Sequence, residues 1–128
     1  MTPEAADYLD KAREDLDDAR KIMAIPLAKV AARAAYYAVF HAAEALIFER
    51  TGKVAKTHAG VRSEFSRLTK ETAGADRPLV AFLAQSYKYK EIGDYGVGQG
   101  ASINVDEASS AIAAAALFIE RVASLLRT

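Results

Sequence analysis

The segment LAKVAARAAYYAVFHAAEALIFER, which runs from Leu27 to Arg50, decides how this 128-residue chain folds. Its residues are apolar nearly all the way round a helical projection, which indicates a central helix that is buried on more than one side. Two faces separate when the segment is turned by about 100° per residue. One face is largely apolar and carries Tyr36, Val39, Ala43 and Ile47. The other face mixes aromatic and ionisable side chains, namely Arg33, Tyr37, Phe40, His41, Glu44 and Phe48.

Helical patterns continue before and after this segment. Thr2 followed by Pro3 predicts the start of a first helix, because a hydroxyl cap and a proline at the first helical position are both common there. The pair Ile25-Pro26 breaks that helix, since proline restricts the residue before it and cannot donate its amide. Gly52 marks the end of the central helix.

The second half of the chain predicts three further helices. The third covers about residues 59–70, and Asp76 with Pro78 opens the fourth. Glycines at positions 93, 96, 98 and 100 then predict a flexible loop. Asn104 begins the last helix, with an acidic residue three positions later as in a capping box.

Five helices without a strand predict an all-α, five-helix up-and-down bundle. A chain of 128 residues with 52% hydrophobic composition can bury one core without disulfides or metal. We therefore expect a single helical domain spanning residues 1–128. The absence of cysteine excludes thiolate catalysis, cysteine-type zinc sites and a disulfide framework, and it suits a reducing cytoplasm.

Charge and hydropathy narrow the choice of partners. Seventeen basic and seventeen acidic residues balance, so any nucleic acid must be bound by a local patch rather than by the whole molecule. The N-terminus begins with a polar, acidic helix pattern that is unlike a signal peptide. The longest strictly apolar run, from Ala111 to Ile119, is too short to cross a bilayer. These observations predict a cytoplasmic protein that does not associate with a membrane.

Two familiar kinds of site fit the sequence poorly. The run GVGQG at residues 96–100 is similar to a phosphate-binding loop, but no strand precedes it and no Lys-Ser or Lys-Thr pair follows it. His41, Glu44 and His58 have the side chains of a metal site, but no His-Glu-x-x-His or Glu-x-x-His pair repeats. We therefore predict neither a metal nor a cofactor. The simpler interpretation is a buried His41 hydrogen-bonded to Glu44 or to a tyrosine.

The remaining polar side chains favour contact with a phosphate or a base. A cation neutralises the charge of a phosphate, while an aromatic ring can stack on a base. The candidate binding residues are Arg33, Tyr37, His41, Lys56, His58, Lys88, Lys90, Asp94 and Tyr95.

Three short stretches of the sequence resemble one protein family. They are AYYAVFHAA at residues 35–43, KTHAGV at residues 56–61 and KEIGDY at residues 90–95. In this order they resemble the small prokaryotic HEPN domain proteins of the UPF0332 type, and the resemblance covers the chain from Ala6 to about Leu125. It implies a four-helix HEPN bundle with an extra short helix, which agrees with the helices predicted from periodicity.

The resemblance also implies partners and an activity. Such bundles pair with a second copy of themselves, and they are often encoded beside a minimal nucleotidyltransferase in a toxin–antitoxin or defence system. Many HEPN proteins are metal-independent endoribonucleases whose signature is an arginine with a histidine four to six residues later. In that chemistry the histidine handles the proton of a ribose 2′-OH, while the arginine stabilises charge on the phosphate.

The chain departs from this nuclease signature. Seven residues separate the arginine from the histidine in both Arg33–His41 and Arg50–His58. The fourth helix offers Lys90 near its end, without a histidine after it. Lysine is a point charge that lacks the planar fork of arginine, and the loss of the imidazole removes the usual proton carrier at neutral pH.

Two functions therefore stay open. The first is a binding or regulatory module, in which a homodimer holds RNA or a nucleotide, or docks a nucleotidyltransferase. That function would use Lys88, Lys90, Asp94 and Tyr95 beside the mixed face of the central helix. Tyr95 would also be a candidate acceptor of a nucleotide, by analogy with related systems.

The second function is a ribonuclease in which His41 or His58 replaces the missing histidine and Lys90 contributes a charge. A plainer interpretation is compatible with both functions. Tyr37, Phe40 and His41 would then pack at the centre of a homodimer contact, where aromatic residues with a few polar groups are common.

Overall fold

The long apolar segment forms the central helix of the bundle. The structure is a computed structural model, and it describes residues 1–22, 27–95 and 102–127. Helix α2, Ala28–Thr51, contacts every other α-helix of the described part, and eleven of its residues are buried. Gly52 ends it at φ 70°, a left-handed conformation that glycine adopts without strain, and the Gly52 amide donates to the Phe48 carbonyl at 2.8 Å.

Helix α1, Pro3–Ile22, packs its apolar stripe against α2. The Thr2 hydroxyl accepts a hydrogen bond from the Ala5 amide at 3.2 Å, as the predicted N-cap should. The Thr2 amide in turn donates to Glu49 at 2.6 Å and joins the start of α1 to the end of α2. The proposed break at Ile25-Pro26 lies outside the described residues.

Helices α3, His58–Leu68, and α4, Ala73–Tyr95, cover another side of α2. The Thr57 hydroxyl caps α3 by accepting from the Gly60 amide at 2.9 Å, and one turn of 3-10 helix, Lys70–Thr72, leads into α4. Two predictions about α4 were wrong. It begins before Asp76 and Pro78, and it continues through Gly93 to Tyr95 instead of giving way to a loop at Gly93. The other three glycines of that predicted loop lie outside the described residues.

Asp76 accounts for the wrong start of α4. The residue is buried, and its carboxylate accepts two hydrogen bonds from the Arg121 guanidinium, at 2.6 and 3.1 Å. These bonds lower the pKa of the Asp76 carboxyl below its ordinary value. An aspartate before a proline therefore looks like a helix cap in the sequence but serves as one half of a tie between two helices.

Helix α5, Val105–Leu126, begins at the predicted cap, where the Asn104 side chain accepts from the Glu107 amide at 2.7 Å. Within the described residues it is the one helix long and apolar enough to cross a membrane, and 44% of its apolar 18-residue stretch is buried in the protein. The buried helix of a soluble protein meets the same criterion, and the buried residues of α5 recur at helical spacing toward the core.

The core confirms the predicted fold class. Phe65 of α3 and Phe118 of α5 stack with ring centroids 5.1 Å apart, and both are fully buried with Tyr36 and Leu46 of α2. The residues that the structure describes contain α-helices, one 3-10 turn and no strand. The protein is an all-α helical bundle, as predicted.

Candidate functional site

Five rings from three helices meet at one end of α3. His58, the first residue of α3, lies with its ring centroid 4.5 Å from that of Phe40, 5.2 Å from Tyr87 and 5.7 Å from Tyr36. Tyr37 contacts the same histidine edge-on at 6.1 Å. We call Tyr36, Tyr37, Phe40, His58 and Tyr87 the aromatic cluster. Within the cluster Tyr36 is fully buried, and the other four rings are partly exposed.

One hydrogen bond sets the orientation of His58. The Tyr36 hydroxyl lies 2.6 Å from His58 Nδ1. Burial raises the pKa of Tyr36, so its hydroxyl keeps its proton. Burial, together with the positive charges of Lys90 and Arg62, lowers the pKa of His58. The imidazole is therefore neutral at pH 7, and its Nδ1 shares a hydrogen bond with the Tyr36 hydroxyl.

Three cations surround the aromatic cluster, and we call Arg33, Arg62 and Lys90 the cationic rim. The Arg33 guanidinium lies 4.8 Å from the centroid of the Tyr37 ring. Arg62 and Lys90 both approach Tyr87, at 4.9 and 5.8 Å from its centroid. Arg62 Nη1 is buried without a hydrogen-bond partner among the described residues.

Asp94 bridges two members of the cationic rim. Lys90 Nζ lies 3.0 Å from Asp94 Oδ2, and Arg33 Nε lies 2.7 Å from Asp94 Oδ1. The bonds from Lys90 and Arg33 lower the pKa of the Asp94 carboxyl. The stem of Arg33 crosses α4 directly over Gly93, where an added Cβ would stand 2.6 Å from Arg33 Cδ. A side chain at position 93 would push Arg33 aside, which explains a glycine inside this helix.

His41 takes part in a separate arrangement that faces α1. Its Nδ1 is 2.7 Å from Glu44 Oε1, one of the two partners that the simpler interpretation of the sequence allowed, and its Nε2 is 3.5 Å from Asp15 Oδ2. That interpretation expected a buried His41, whereas the side chain is partly exposed. Burial raises the pKa of Asp15. Phe40 contacts both histidine rings, at 5.4 Å for His41 and 4.5 Å for His58. In the described part of the chain, no three His, Asp or Glu side chains are grouped so that they could hold a metal ion.

Three other candidate residues lie apart from the cluster or outside the description. Lys88 is exposed with its Nζ 5.3 Å from the centroid of the Tyr89 ring, and residues two apart on a helix point to nearly opposite sides, so it faces away from Lys90. Lys56 is exposed in the connection before α3. Tyr95 is the last residue of α4, and its side chain is not among the described parts.

The structure brings together Arg33, Tyr37, His58, Lys90 and Asp94 within a single chain. Reasoning from the sequence missed Arg62 and Tyr87, and it assigned Tyr36 to the apolar face without a partner for its hydroxyl. The sequence did carry a signal for Arg62 and Tyr87 in the spacing of helical residues. Arg62 follows His58 by four residues and Tyr87 precedes Lys90 by three, which places each pair on one face of its helix.

The fold agrees with one class of protein. A sequence model of the HEPN domain matches residues 5–125, and the chain belongs to the HEPN domain family. Within that class it is similar to UPF0332 proteins. One, from Thermotoga maritima, is 31% identical over 86 residues, which cover 67% of this chain and 64% of the relative. Another, from Gloeobacter violaceus, is 28% identical over 120 residues, or 94% of each chain. Membership of the family indicates a nucleotide- or RNA-related or regulatory function.

Proposed function

We propose that this protein is a regulatory HEPN module that binds single-stranded RNA at the aromatic cluster and the cationic rim. The observation that carries the proposal is the meeting of four partly exposed rings and three cations, supplied by helices α2, α3 and α4. Bases stack on aromatic rings whatever their sequence, and lysine and arginine neutralise the phosphates between them.

The surface is small and local, which agrees with the even charge balance of the chain. Two or three phosphates can be neutralised by the cationic rim of one subunit. For single strands, the slope of the logarithm of affinity against the logarithm of salt concentration is about −0.7 per neutralised phosphate, so we expect a slope of about −1.4 to −2 per subunit.

Two further parts of the proposal concern partners, and they are supported by the resemblance of the chain to HEPN proteins. The protein forms a homodimer, and it docks a minimal nucleotidyltransferase encoded beside it. Affinity purification of the tagged protein from its own host tests the second part. The absence of a neighbouring nucleotidyltransferase gene, or of that protein from the purified sample, contradicts it.

The main test is fluorescence anisotropy with a labelled single-stranded RNA of about ten nucleotides. Tyr87→Leu replaces a stacking surface with a smaller apolar side chain, and we expect at least about a fivefold loss of affinity, since a stacked base contributes about 1–3 kcal/mol. Lys90→Ala should weaken binding several-fold. Lys88→Ala is the matched control, because it removes the same charge two residues away on another side of α4.

Thermal unfolding of each variant shows that the change in affinity is not a loss of folded protein. Equal losses of RNA affinity for Lys88→Ala and Lys90→Ala would show that the binding surface lies elsewhere. The absence of any measurable binding to RNA by the wild-type protein would overturn the proposal.

One observation favours a metal-independent endoribonuclease as a second candidate function. His58 is neutral, is oriented by Tyr36 and lies close enough to Lys90 and Arg62 for both to lower its pKa. His41 fits this role poorly because both of its nitrogens face carboxylates. RNA cleavage in the presence of a chelator, abolished by His58→Ala and retained by His41→Ala, is the expected result for this function. Cleavage that survives both changes, or no cleavage by the wild-type protein, contradicts it.

A further inference from the structure

We propose that Arg33 and Lys90 form a subsite for a terminal phosphate, and that the Asp94 carboxylate occupies this subsite until a phosphate displaces it. The inference rests on the proposed function and names the part of an RNA or nucleotide that the site selects. It also makes Asp94 a competitor of the ligand and not one of its binding residues.

The first step is the geometry around Asp94. Each carboxylate oxygen is held by a different cation, Oδ1 by Arg33 at 2.7 Å and Oδ2 by Lys90 at 3.0 Å. Carboxylates and phosphates present similar pairs of acidic oxygens to arginine and lysine. The two cations are therefore already arranged around an oxyanion, and that oxyanion comes from the chain itself.

The second step is that the surrounding residues hold the two cations in place without the help of Asp94. The Arg33 guanidinium lies over the ring of Tyr37, and its stem rests against Gly93. Lys90 Nζ is near the ring of Tyr87. A ligand that replaced Asp94 would thus meet cations that keep their positions, which lowers the entropic cost of binding.

The third step concerns the position of Asp94 in α4. The residue stands in the last turn of the helix, where the helix dipole disfavours a negative charge. Its ion pair with Arg33 lies at the surface, with the Arg33 side chain 41% exposed, and surface ion pairs contribute little to stability. Moving this carboxylate off the Arg33 guanidinium is consequently cheap for the fold.

The charge of the competitor selects the ligand. A carboxylate and an internal phosphodiester each carry one negative charge, whereas a terminal phosphate carries about −1.5 to −2 at pH 7. A terminal phosphate therefore displaces Asp94 more readily than a phosphodiester does. The rings of Tyr37 and Tyr87, which the two cations contact, lie where the base of the same nucleotide can stack.

The test compares two labelled RNA oligonucleotides of identical sequence, one with a 5′-phosphate and one with a 5′-hydroxyl. We expect the wild-type protein to prefer the 5′-phosphate, and Arg33→Gln and Lys90→Ala to abolish that preference. Asp94→Asn should bind the 5′-phosphorylated RNA more tightly than the wild type, by about two- to fivefold, the size expected when exposed ion pairs no longer compete. Asp94→Ser is a second variant in case the first one folds poorly.

Asp17→Asn is the matched control for this gain. Asp17 forms the same kind of pair as Asp94, with a lysine four residues away at 3.0 Å, but on the exposed side of α1. Asp17→Asn changes the net charge by the same amount as Asp94→Asn. An equal gain in both variants would show an effect of overall charge and would overturn the inference.

Two other outcomes separate the inference from the proposed function. Weaker binding by folded Asp94→Asn, or equal affinity of the wild type for the two RNAs, overturns the displacement of Asp94 and leaves RNA binding intact. No binding of either RNA by the wild type and the Asp94 variants overturns the proposed function itself.

Discussion

At the scale of single residues, the site depends on how buried polar atoms find partners. The Tyr36 hydroxyl is enclosed by the core, and a buried hydroxyl without a hydrogen bond is costly. It bonds His58, which belongs to a helix that follows 22 residues later in the sequence. The same bond engages Nδ1 and leaves Nε2 as the other ring nitrogen of His58.

The lowered pKa of His58 predicts how stability depends on pH. The folded state binds a proton less readily than the unfolded chain, where histidine titrates at about 6.5. The contribution of neutral His58 is therefore fully present above pH 6.5 and is lost as the pH falls through the unfolded value toward the lower folded one. The urea concentration at the midpoint of unfolding should decrease as the pH is lowered from about 7.5 to about 5.5.

The control for this prediction is His58→Gln, whose amide does not titrate and can still hydrogen-bond the Tyr36 hydroxyl. The loss of stability over the same pH range should be smaller in this variant than in the wild type. His41→Gln serves as a comparison, because His41 lies among carboxylates and not among cations. An unchanged pH dependence in His58→Gln would contradict the prediction.

The sequence could predict which residues share a face, but not which faces meet. The mixed face of α2 follows from helical periodicity, and the structure has Tyr37, Phe40 and His41 there, partly exposed. The meeting of Arg62 with Tyr87 depends on how α3 and α4 pack, which periodicity does not encode. For the same reason, only the structure shows that His41 turns toward α1 while His58 turns toward α4.

At the scale of elements, α4 shows why helix ends were the weakest prediction. Rules based on neighbouring residues place the start of α4 at Asp76 and Pro78 and its end at Gly93, since these residue types are common at helix boundaries. Both have tertiary roles instead. Asp76 binds Arg121, 45 residues away, and Gly93 makes room for Arg33, 60 positions before it. Residues that serve a distant contact mislead any interpretation based on neighbours alone.

The two described glycines of α4 give a matched pair of substitutions. Gly74 is the second residue of α4 and has open space around it, so Gly74→Ala should stabilise the protein by at most about 0.5–1 kcal/mol through helix propensity. Gly93→Ala gains the same propensity but places a Cβ against Arg33. Overpacking typically costs about 1–3 kcal/mol, so Gly93→Ala should be at least about 1 kcal/mol less stable than Gly74→Ala.

Urea unfolding of the two variants measures this difference. The same samples in the RNA assay should show weaker binding for Gly93→Ala alone, since it displaces a member of the cationic rim. Equal stabilisation by both substitutions would mean that Arg33 moves aside without cost and that its position over α4 is not held.

At the scale of the whole molecule, the chain carries no net charge, and its exposed apolar residues lie in different places. Leu27 and Val30 stand one turn apart at the start of α2, and Val30 lines an open groove of about 490 Å³ together with Arg33, Tyr37 and His41. Leu117, which is 71% exposed, lies on α5. A self-complementary contact through the first of these surfaces would place two copies of the site next to each other.

This arrangement predicts which surface pairs the proposed homodimer. Light scattering of the wild-type protein should give twice the chain mass of 13.8 kDa. Val30→Asp should yield the monomer, because it replaces an exposed apolar side chain of the contact with a carboxylate that must lose its water there. Leu117→Asp makes the same kind of change on α5 and should leave the dimer intact. A monomeric wild type contradicts the homodimer. Dissociation by Leu117→Asp alone would show that the contact lies on α5 and not at the groove beside the aromatic cluster.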